Sequence, residues 1–294
     1  MLNPILYFTY PVSAIYIFVI SIGLGFFLSR KFGLSWRLFW IGAATFILSQ
    51  VGHIPFNAGL TALFQNGILP SPPAAWQLVF NAIVLGLSAG LFEEISRFAV
   101  YRWWVKDARS WGRGLLLGAG HGGIEAMLVG GLLLVSFFYM FAIKDTDLAA
   151  LVPVDQLPLA QQQVEAYWSA TWYDSLLGAV ERSFTLPAHL AFSILVLQVF
   201  LRRQLRWLWF SVAWHALLNA ITLFIAGTWN IYLAELALGI LAFINIGIIF
   251  KLRQPEPVAD VQPESRPTTD SFDGFQMPSI EENTEHLDRT RYQE

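Results

Sequence analysis

The chain has 294 residues, of which 55% are hydrophobic and 13% are charged, and its mean hydropathy is +0.52. This composition is far more apolar than that of a soluble domain, so it predicts an integral membrane protein. The net charge of -3 carries little information, because ten of the twenty-one acidic residues lie in the last 44 residues, and nothing favours nucleic-acid binding. The absence of cysteine excludes disulfides and thiolate metal ligands.

Seven apolar segments are long enough to cross a bilayer as helices. In chain order they cover about residues 6–28, 36–54, 76–98, 114–141, 176–201, 207–226 and 231–250. The predicted fold is therefore an all-α, polytopic membrane helix bundle with about seven transmembrane helices. We expect a catalytic bundle at 1–253, followed by a disordered acidic cytoplasmic tail at 254–294, where Pro, Ser, Thr and acidic residues are frequent.

Basic residues concentrate in alternate loops of this predicted topology. Twelve of them follow the odd-numbered segments, whereas the other loops contain only Lys144. The positive-inside rule then puts the N-terminus outside and the C-terminus in the cytoplasm. We expect a multi-pass protein of a bacterial-type plasma membrane, with the lipid bilayer around it. The long outside loop at 144–174 is predicted to contain a short helix at the lipid interface, with Trp168 and Trp172 at headgroup level.

Four consecutive segments carry polar or ionisable side chains inside their apolar sequence. These are Glu93, Glu94 and Arg97 in the third segment, His121 and Glu125 in the fourth, Glu181, Arg182 and His189 in the fifth, and His215 and Asn219 in the sixth. A charged side chain at the centre of a membrane helix costs about 2.5 to 3.5 kcal/mol on insertion scales, so such residues must be paired, metal-bound or facing water. The sequence therefore predicts a buried polar site.

The predicted topology also gives each of these residues a depth. With a rise of about 1.5 Å per residue from the cytoplasmic helix ends, His121 lies about 10 Å deep, His215 about 12 Å and His189 about 18 Å. The two glutamates lie close above the cytoplasmic end of their segment. All of these groups should meet in one cytoplasmic-to-central layer, where the i,i+4 pair His121 and Glu125 offers two groups from one helix face.

Three imidazoles that converge with a carboxylate are typical of a catalytic zinc site, in which a fourth position is left for water. A metal in such a site makes the bound water more acidic and polarises a peptide carbonyl. A neighbouring carboxylate can act as general base and then return the proton to the leaving amine. Glu93 and Glu94 are both candidates for this role, and zinc is the predicted cofactor.

The motifs resemble those of a known family. They are the string EEISR at 93–97, the string GHGGIEA at 120–126, the pair Glu181-Arg182 with His189, and His215-x-x-x-Asn219. Together, over about residues 40–225, they resemble the motif set of the YhfC-like intramembrane metalloproteases, which are related to type II CAAX prenyl endopeptidases and PrsW-type proteases. The CAAX enzymes have one more residue between the glutamate pair and the arginine and lack the second string, so prenylated substrates are not implied.

The resemblance implies an intramembrane endopeptidase that hydrolyses a membrane-embedded or membrane-adjacent protein or peptide. It implies that Glu93 and Glu94 are catalytic carboxylates and that Asn219 polarises the substrate or binds an oxyanion. The metal ligands would be His121, His189 and His215, with Glu125 as a further ligand. Water activated by a glutamate, and bound to zinc, would attack the peptide bond.

Other interpretations of the same residues stay open. The cluster could serve a proton- or metal-coupled transporter, a haem-binding electron carrier, or an inactive scaffold of the same fold. Glu93 and Arg97 could form an i,i+4 salt bridge, which would leave Glu94 as the catalytic member. Glu181 and Arg182 are expected to form a buried ion pair. His53, near the outer end of the second segment, is interpreted as structural or gate-lining and as distant in depth from the site.

Overall fold

A computed structural model describes residues 3–255, and this part of the chain is entirely helical. Its eight α-helices are α1 (Leu6–Phe32), α2 (Arg37–Gln65), α3 (Gln77–Ala99), α4 (Trp111–Ile143), α5 (Leu157–Ser169), α6 (Leu177–Arg202), α7 (Arg206–Thr228) and α8 (Ile231–Lys251). All except α5 are long and apolar enough to cross a membrane, which confirms the seven predicted spans and a multi-pass integral membrane protein. The predicted acidic tail lies outside the described residues from residue 256 onward.

The largest difference from the predicted boundaries is in α2, which continues to Gln65 and passes through Pro55. Proline removes one main-chain hydrogen bond and disfavours the helix before it, so its position predicted an end near residue 54. The residues after Pro55 are nevertheless apolar at helical spacing, including Phe56, Leu60 and Phe64. A membrane helix tolerates the lost bond because the surrounding lipid offers the backbone no better partner than the rest of the helix.

The helices alternate in direction, so the bundle has two chemically different ends. One, here called the basic end, carries the junctions α1–α2, α3–α4 and α6–α7 and the end of α8, where twelve Lys and Arg residues lie. The Trp111 indole at the start of α4 donates to the carbonyl of Ile249 at the end of α8, 3.0 Å away. The opposite end, here called the far end, carries the segment 66–73 and α5. The positive-inside rule predicts that the basic end is cytoplasmic.

The short helix α5 closes part of the far end, and here the prediction for Trp168 was wrong. Its side chain is fully buried rather than at headgroup level. It packs against Tyr7 of α1 and Phe137 of α4, with ring centroids 4.8 and 6.2 Å away, and its indole donates to the Met140 carbonyl at 3.3 Å. An indole that can bury its ring and keep a hydrogen-bond acceptor is more stable there than at the interface. Trp172 is exposed, and its position at headgroup level stays a prediction.

Glycines let the site-bearing helices approach backbone to backbone. A Cβ at Gly120 of α4 would lie 1.9 Å from the Phe39 carbonyl oxygen of α2, and one at Gly118 would lie 2.8 Å from the His189 carbonyl oxygen of α6. In membranes, where lipid is as apolar as the helix surface, such close packing of small residues is a main source of helix association. α4 remains a regular helix through this glycine-rich stretch, so the glycines serve close approach rather than local unwinding.

We expect Gly120→Ala to destabilise the bundle strongly, because its methyl group would meet the Phe39 main chain, which cannot move aside without shifting α2. Overpacking of this kind costs about 1 to 3 kcal/mol or more. The matched control is Gly131→Ala on the same helix, where a Cβ meets nothing within 4 Å. Thermal unfolding in detergent should give a lower Tm for the first variant and an unchanged or slightly higher Tm for the second. Equal Tm values would contradict the proposed contact.

Candidate active site

Four helices bring the predicted site residues together in one buried cluster. Glu93 and Glu94 come from α3, His121 from α4, His189 from α6 and His215 from α7, and none is more than 5% exposed. The His121 and His189 ring centroids lie 5.4 Å apart, and those of His189 and His215 lie 6.0 Å apart. Counted at about 1.5 Å per residue, these residues lie about 14 to 20 Å from the basic end. The predicted convergence in depth is therefore observed.

Arg97 connects the carboxylates of α3 to the imidazole of α6. It is fully buried, its Nη1 contacts Glu94 Oε1, and its Nη2 donates to His189 Nδ1 at 2.8 Å. The same Nη2 lies 3.6 Å from Glu93 Oε2. The guanidinium thus binds Glu94 more closely than Glu93, contrary to the alternative that pairs Arg97 with Glu93 and frees Glu94. Because Nδ1 accepts, neutral His189 carries its proton on Nε2.

Glu94 is fully engaged by neighbouring side chains. Besides Arg97, its Oε1 accepts from His215 Nδ1 at 2.8 Å and its Oε2 accepts from the Ser211 hydroxyl at 2.8 Å. A carboxylate that holds one imidazole nitrogen fixes the ring orientation and leaves the other nitrogen, Nε2, able to bind a metal or substrate. Glu94 is therefore positioned to orient His215, and its side chain has no exposed surface.

Glu93 has a different environment. Its Oε2 lies 3.0 Å from His121 Nε2, and its side chain is 7% exposed and lines the internal cavity described below. Glu94 and His121 are not among the residues that line this cavity. Of the two adjacent glutamates, Glu93 is thus the one that water or a substrate can reach from the cavity.

Glu125 takes part in a second charged group, one helical turn along α4 from His121. Its Oε1 accepts from Arg182 Nη1 at 2.8 Å, and its Oε2 lies 2.9 Å from His189 Nε2. Arg182 also binds Glu181, as the sequence predicted. His189 is therefore held from both sides, by Arg97 at Nδ1 and by Glu125 at Nε2.

Two groups of side chains within the described residues could hold a metal ion, with all donor atoms within 4.8 Å of one another. One contains Glu93, His121 and His189, and the other contains Glu93, Glu94 and His215. Glu93 belongs to both. The three imidazoles do not form one group, because the His215 ring is turned toward Glu94. Glu125, which was predicted as a ligand, lies outside both groups because its carboxylate faces Arg182 and His189.

The donor chemistry of this cluster suits a divalent cation. The buried Nδ1 of His121 has no hydrogen-bond partner in the described part of the chain, although buried polar atoms are almost always paired. The carboxylates of Glu93, Glu94 and Glu125 have two permanently charged partners, the guanidiniums of Arg97 and Arg182. With neutral imidazoles and ionised carboxylates these five groups have a formal charge of -1, and of -2 with Glu181, whose side chain is 38% exposed, so a cation would offset the negative charge. Uncompensated charge at this depth is costly, so the residues fit a metal.

A cavity of about 310 Å³ opens beside the cluster. Its walls include Glu93, His189, His215 and Asn219, so the asparagine predicted to bind an oxyanion faces the same space as the glutamate. His53 and Asn57 of α2 also line it, and their side chains bond to each other at 2.9 Å. His53 lines the same cavity as Glu93 and His215, which fits its interpretation as gate-lining, while its difference in depth from the site stays a prediction. The i,i+4 spacing of His53 and Asn57 is the same as that of His215 and Asn219.

Seven spans surround a buried cluster of carboxylates and imidazoles, so the chain is a multi-pass membrane protein with an internal group of side chains that could hold a metal ion. A profile of the YhfC intramembrane metalloprotease family matches residues 16–241. The chain is 32% identical over 209 residues to the uncharacterized membrane protein YhfC of Bacillus subtilis (strain 168), a match that covers 69% of the chain and 78% of that protein. The chain therefore belongs to the YhfC intramembrane metalloprotease family. No solved structure matches it.

Proposed function

We propose that this protein is an intramembrane endopeptidase that hydrolyses a peptide bond of a membrane-embedded or membrane-adjacent substrate. The observation that carries the proposal is the pairing of a cavity-lining carboxylate, Glu93, with three buried imidazoles at membrane depth. The family name, which specifies an intramembrane metalloprotease, supports the same activity. A bilayer retains so many ionisable groups only where they perform a function or are fully paired.

Glu93 is the proposed general base. It takes a proton from a cavity water as the water oxygen attacks the substrate carbonyl carbon, and it returns this proton to the amine nitrogen when the C–N bond breaks. Asn219 lines the same cavity, and its amide N–H can donate to the oxygen that becomes negative in the transition state. Glu94 acts on His215, whose ring it orients, rather than on the substrate.

The proposed cofactor is zinc, and the side chains that would hold it belong to two groups that share Glu93: His121 and His189 in one, and Glu94 and His215 in the other. To bind the ion, His189 would have to give up its contact with Arg97 at Nδ1 or with Glu125 at Nε2. Imidazole and carboxylate donors are those that zinc uses in hydrolytic sites, and the chain has no thiolates. A bound zinc ion would supply Lewis-acid polarisation of the scissile carbonyl and acidify a nearby water. Arg97 and Glu125 keep His189 in one orientation, and Glu94 does the same for His215.

We expect the purified protein to contain about one zinc ion per chain, as a single hydrolytic site requires. His121→Ala, His189→Ala and His215→Ala should each lose most of it, because each removes a donor. The matched control is His53→Ala, which changes a cavity-lining histidine that belongs to neither metal group. Elemental mass spectrometry of detergent-purified protein measures all four variants. Two outcomes would contradict the zinc site: folded wild-type protein without metal, or an equal loss of metal from the control variant His53→Ala.

The activity itself is tested in proteoliposomes that contain the enzyme and a panel of quenched fluorescent single-span peptides. We expect cleavage that a zinc chelator abolishes and added zinc restores. A proton- or metal-coupled transporter would instead give ion flux without cleavage. Hydrolysis is preferred because the family to which the chain belongs is named for intramembrane metalloprotease activity and because a carboxylate, imidazoles and an asparagine face one cavity. An inactive scaffold would give neither signal.

A further inference from the structure

The cavity beside Glu93 continues toward the far end of the bundle. A second cavity, of about 410 Å³, shares the lining residues Asn57 and Leu85 with the first, so the two cavities adjoin and together are called the path here. The second cavity reaches Gln65 at the end of α2 and Ser71 in the segment that follows. One water occupies about 10 to 15 Å³ by this measure of volume, so the whole path can hold a column of water.

Polar side chains line this path at regular intervals. On α2 they occur at every fourth residue, at His53, Asn57, Thr61 and Gln65, which puts them on one face of the helix. Opposite them, α3 contributes Gln77 and Asn81. These residues lie within spans whose other surfaces are apolar. Amides and hydroxyls facing hydrocarbon would lose their hydrogen bonds, so a continuous polar face at this depth indicates water.

The opposite direction, from the cluster to the basic end, is filled by packed apolar side chains. Among the residues that fill it are Val100, Tyr101, Leu116, Leu197 and Leu208, each no more than 6% exposed. The Tyr101 hydroxyl bonds to the Ser193 hydroxyl at 2.9 Å and so joins α3 to α6 at this level. The site is thus nearer to the basic end in depth but communicates with the far end.

We propose that water and the substrate polypeptide reach Glu93 from the far end, through the path between α2 and α3. The positive-inside rule predicts that this is the non-cytoplasmic side. The substrates are therefore membrane proteins or peptides whose scissile segment approaches from outside the cytoplasm, as an extracytoplasmic juxtamembrane segment does. This inference rests on the proposed function for its substrate class, but the route itself is testable without any cleavage.

Because the chain has no cysteine, single cysteines can be introduced and labelled without background. The path variants are Asn57→Cys, Thr61→Cys and Asn81→Cys. Ile83→Cys, on the exposed lipid-facing side of α3, controls for membrane depth, and Lys106→Cys, in the exposed loop between α3 and α4, marks the basic end. A charged, membrane-impermeant maleimide is applied to intact cells and to inverted vesicles. Gel filtration in detergent confirms that each variant is folded.

We expect the three path cysteines to react from the side opposite to that of Lys106→Cys, and about tenfold or more faster than Ile83→Cys, because only a hydrated thiol ionises and reacts. Labelling from the same side as Lys106→Cys would overturn the proposal. So would labelling no faster than Ile83→Cys, which would indicate a dry path and access from the lipid side. Labelling as expected in a protein that cleaves no peptide would leave the route intact and remove the proposed function.

Discussion

Replacing Glu93 with glutamine is expected to lower kcat for peptide cleavage by about three orders of magnitude, because the amide cannot accept a proton from water. Glutamine keeps the size of the side chain and one oxygen near His121 Nε2, so the fold and the surrounding helices should be unaffected. The measurement is single-turnover cleavage of a fluorescent single-span peptide in proteoliposomes, with metal content determined on the same preparation. We expect most of the zinc to be retained even though Glu93 belongs to both metal-binding groups, because the imidazole donors are unchanged and the glutamine keeps one side-chain oxygen in place.

The matched control is Glu94→Gln, one residue further along the same helix. This substitution replaces the carboxylate that orients His215 and binds Arg97 and Ser211 by a neutral amide, which weakens all three contacts. We therefore expect metal to be lost together with activity. Losing such a supporting contact typically costs about 10- to 100-fold in metal affinity or activity. If Glu93→Gln lost zinc while Glu94→Gln kept it and was inactive, the two roles would be reversed.

Replacing Arg97 with methionine should destabilise the folded protein by about 3 to 5 kcal/mol, the range observed when one partner of a buried ion pair is removed. The substitution leaves Glu94 buried without its cation and removes the donor that fixes His189. Arg102→Met is the matched control, because Arg102 lies close by, in the helical turn that extends α3, and its side chain is exposed. Unfolding by sodium dodecyl sulfate in mixed micelles gives the free energy of unfolding for each variant.

A shift in unfolding midpoint for Arg97→Met no larger than that for Arg102→Met would contradict the role of Arg97 as the connecting cation. The variant Arg97→Lys tests whether the positive charge alone, without the planar guanidinium, is sufficient for stability and activity. Lysine keeps the positive charge, but it cannot reach Glu94 and His189 with two separate nitrogens as the planar guanidinium does. We therefore expect this variant to recover part of the stability and little of the activity.

The membrane fold was predictable from the sequence because it depends on one strong signal, the length of apolar segments. The predicted limits 176–201 differ from α6 by one residue at each end, and the limits 231–250 differ from α8 by one residue at its end only. The orientation of the bundle stays a prediction. The extension of α2 beyond Pro55 was missed because a proline argues locally for a helix end, and this argument outweighed the apolar residues at helical spacing that follow it.

The convergence of the glutamates and histidines was predictable because helical rise converts residue number into depth. The side chains that contact these glutamates and histidines were not predictable, because depth does not specify which helices are neighbours or which way each side chain turns. Arg182 binds Glu125 across two helices, and His53 lines the cavity of His215, although neither pairing follows from spacing along the chain. Polar residues occur at every fourth position after His53, and this spacing alone would have predicted a polar face on α2 along the path.

The close helix crossings restrain one half of α2 more than the other. The first half of α2 is held where Gly42 meets the Leu117 main chain, whereas Phe56 and Leu63 in the half beyond Pro55 are exposed. Proline removes one main-chain hydrogen bond, so we expect α2 to bend more readily at Pro55 than elsewhere, which would move its second half without moving the catalytic groups. Adaptation of such an enzyme to colder or warmer membranes should therefore alter residues 54–65 before it alters the site.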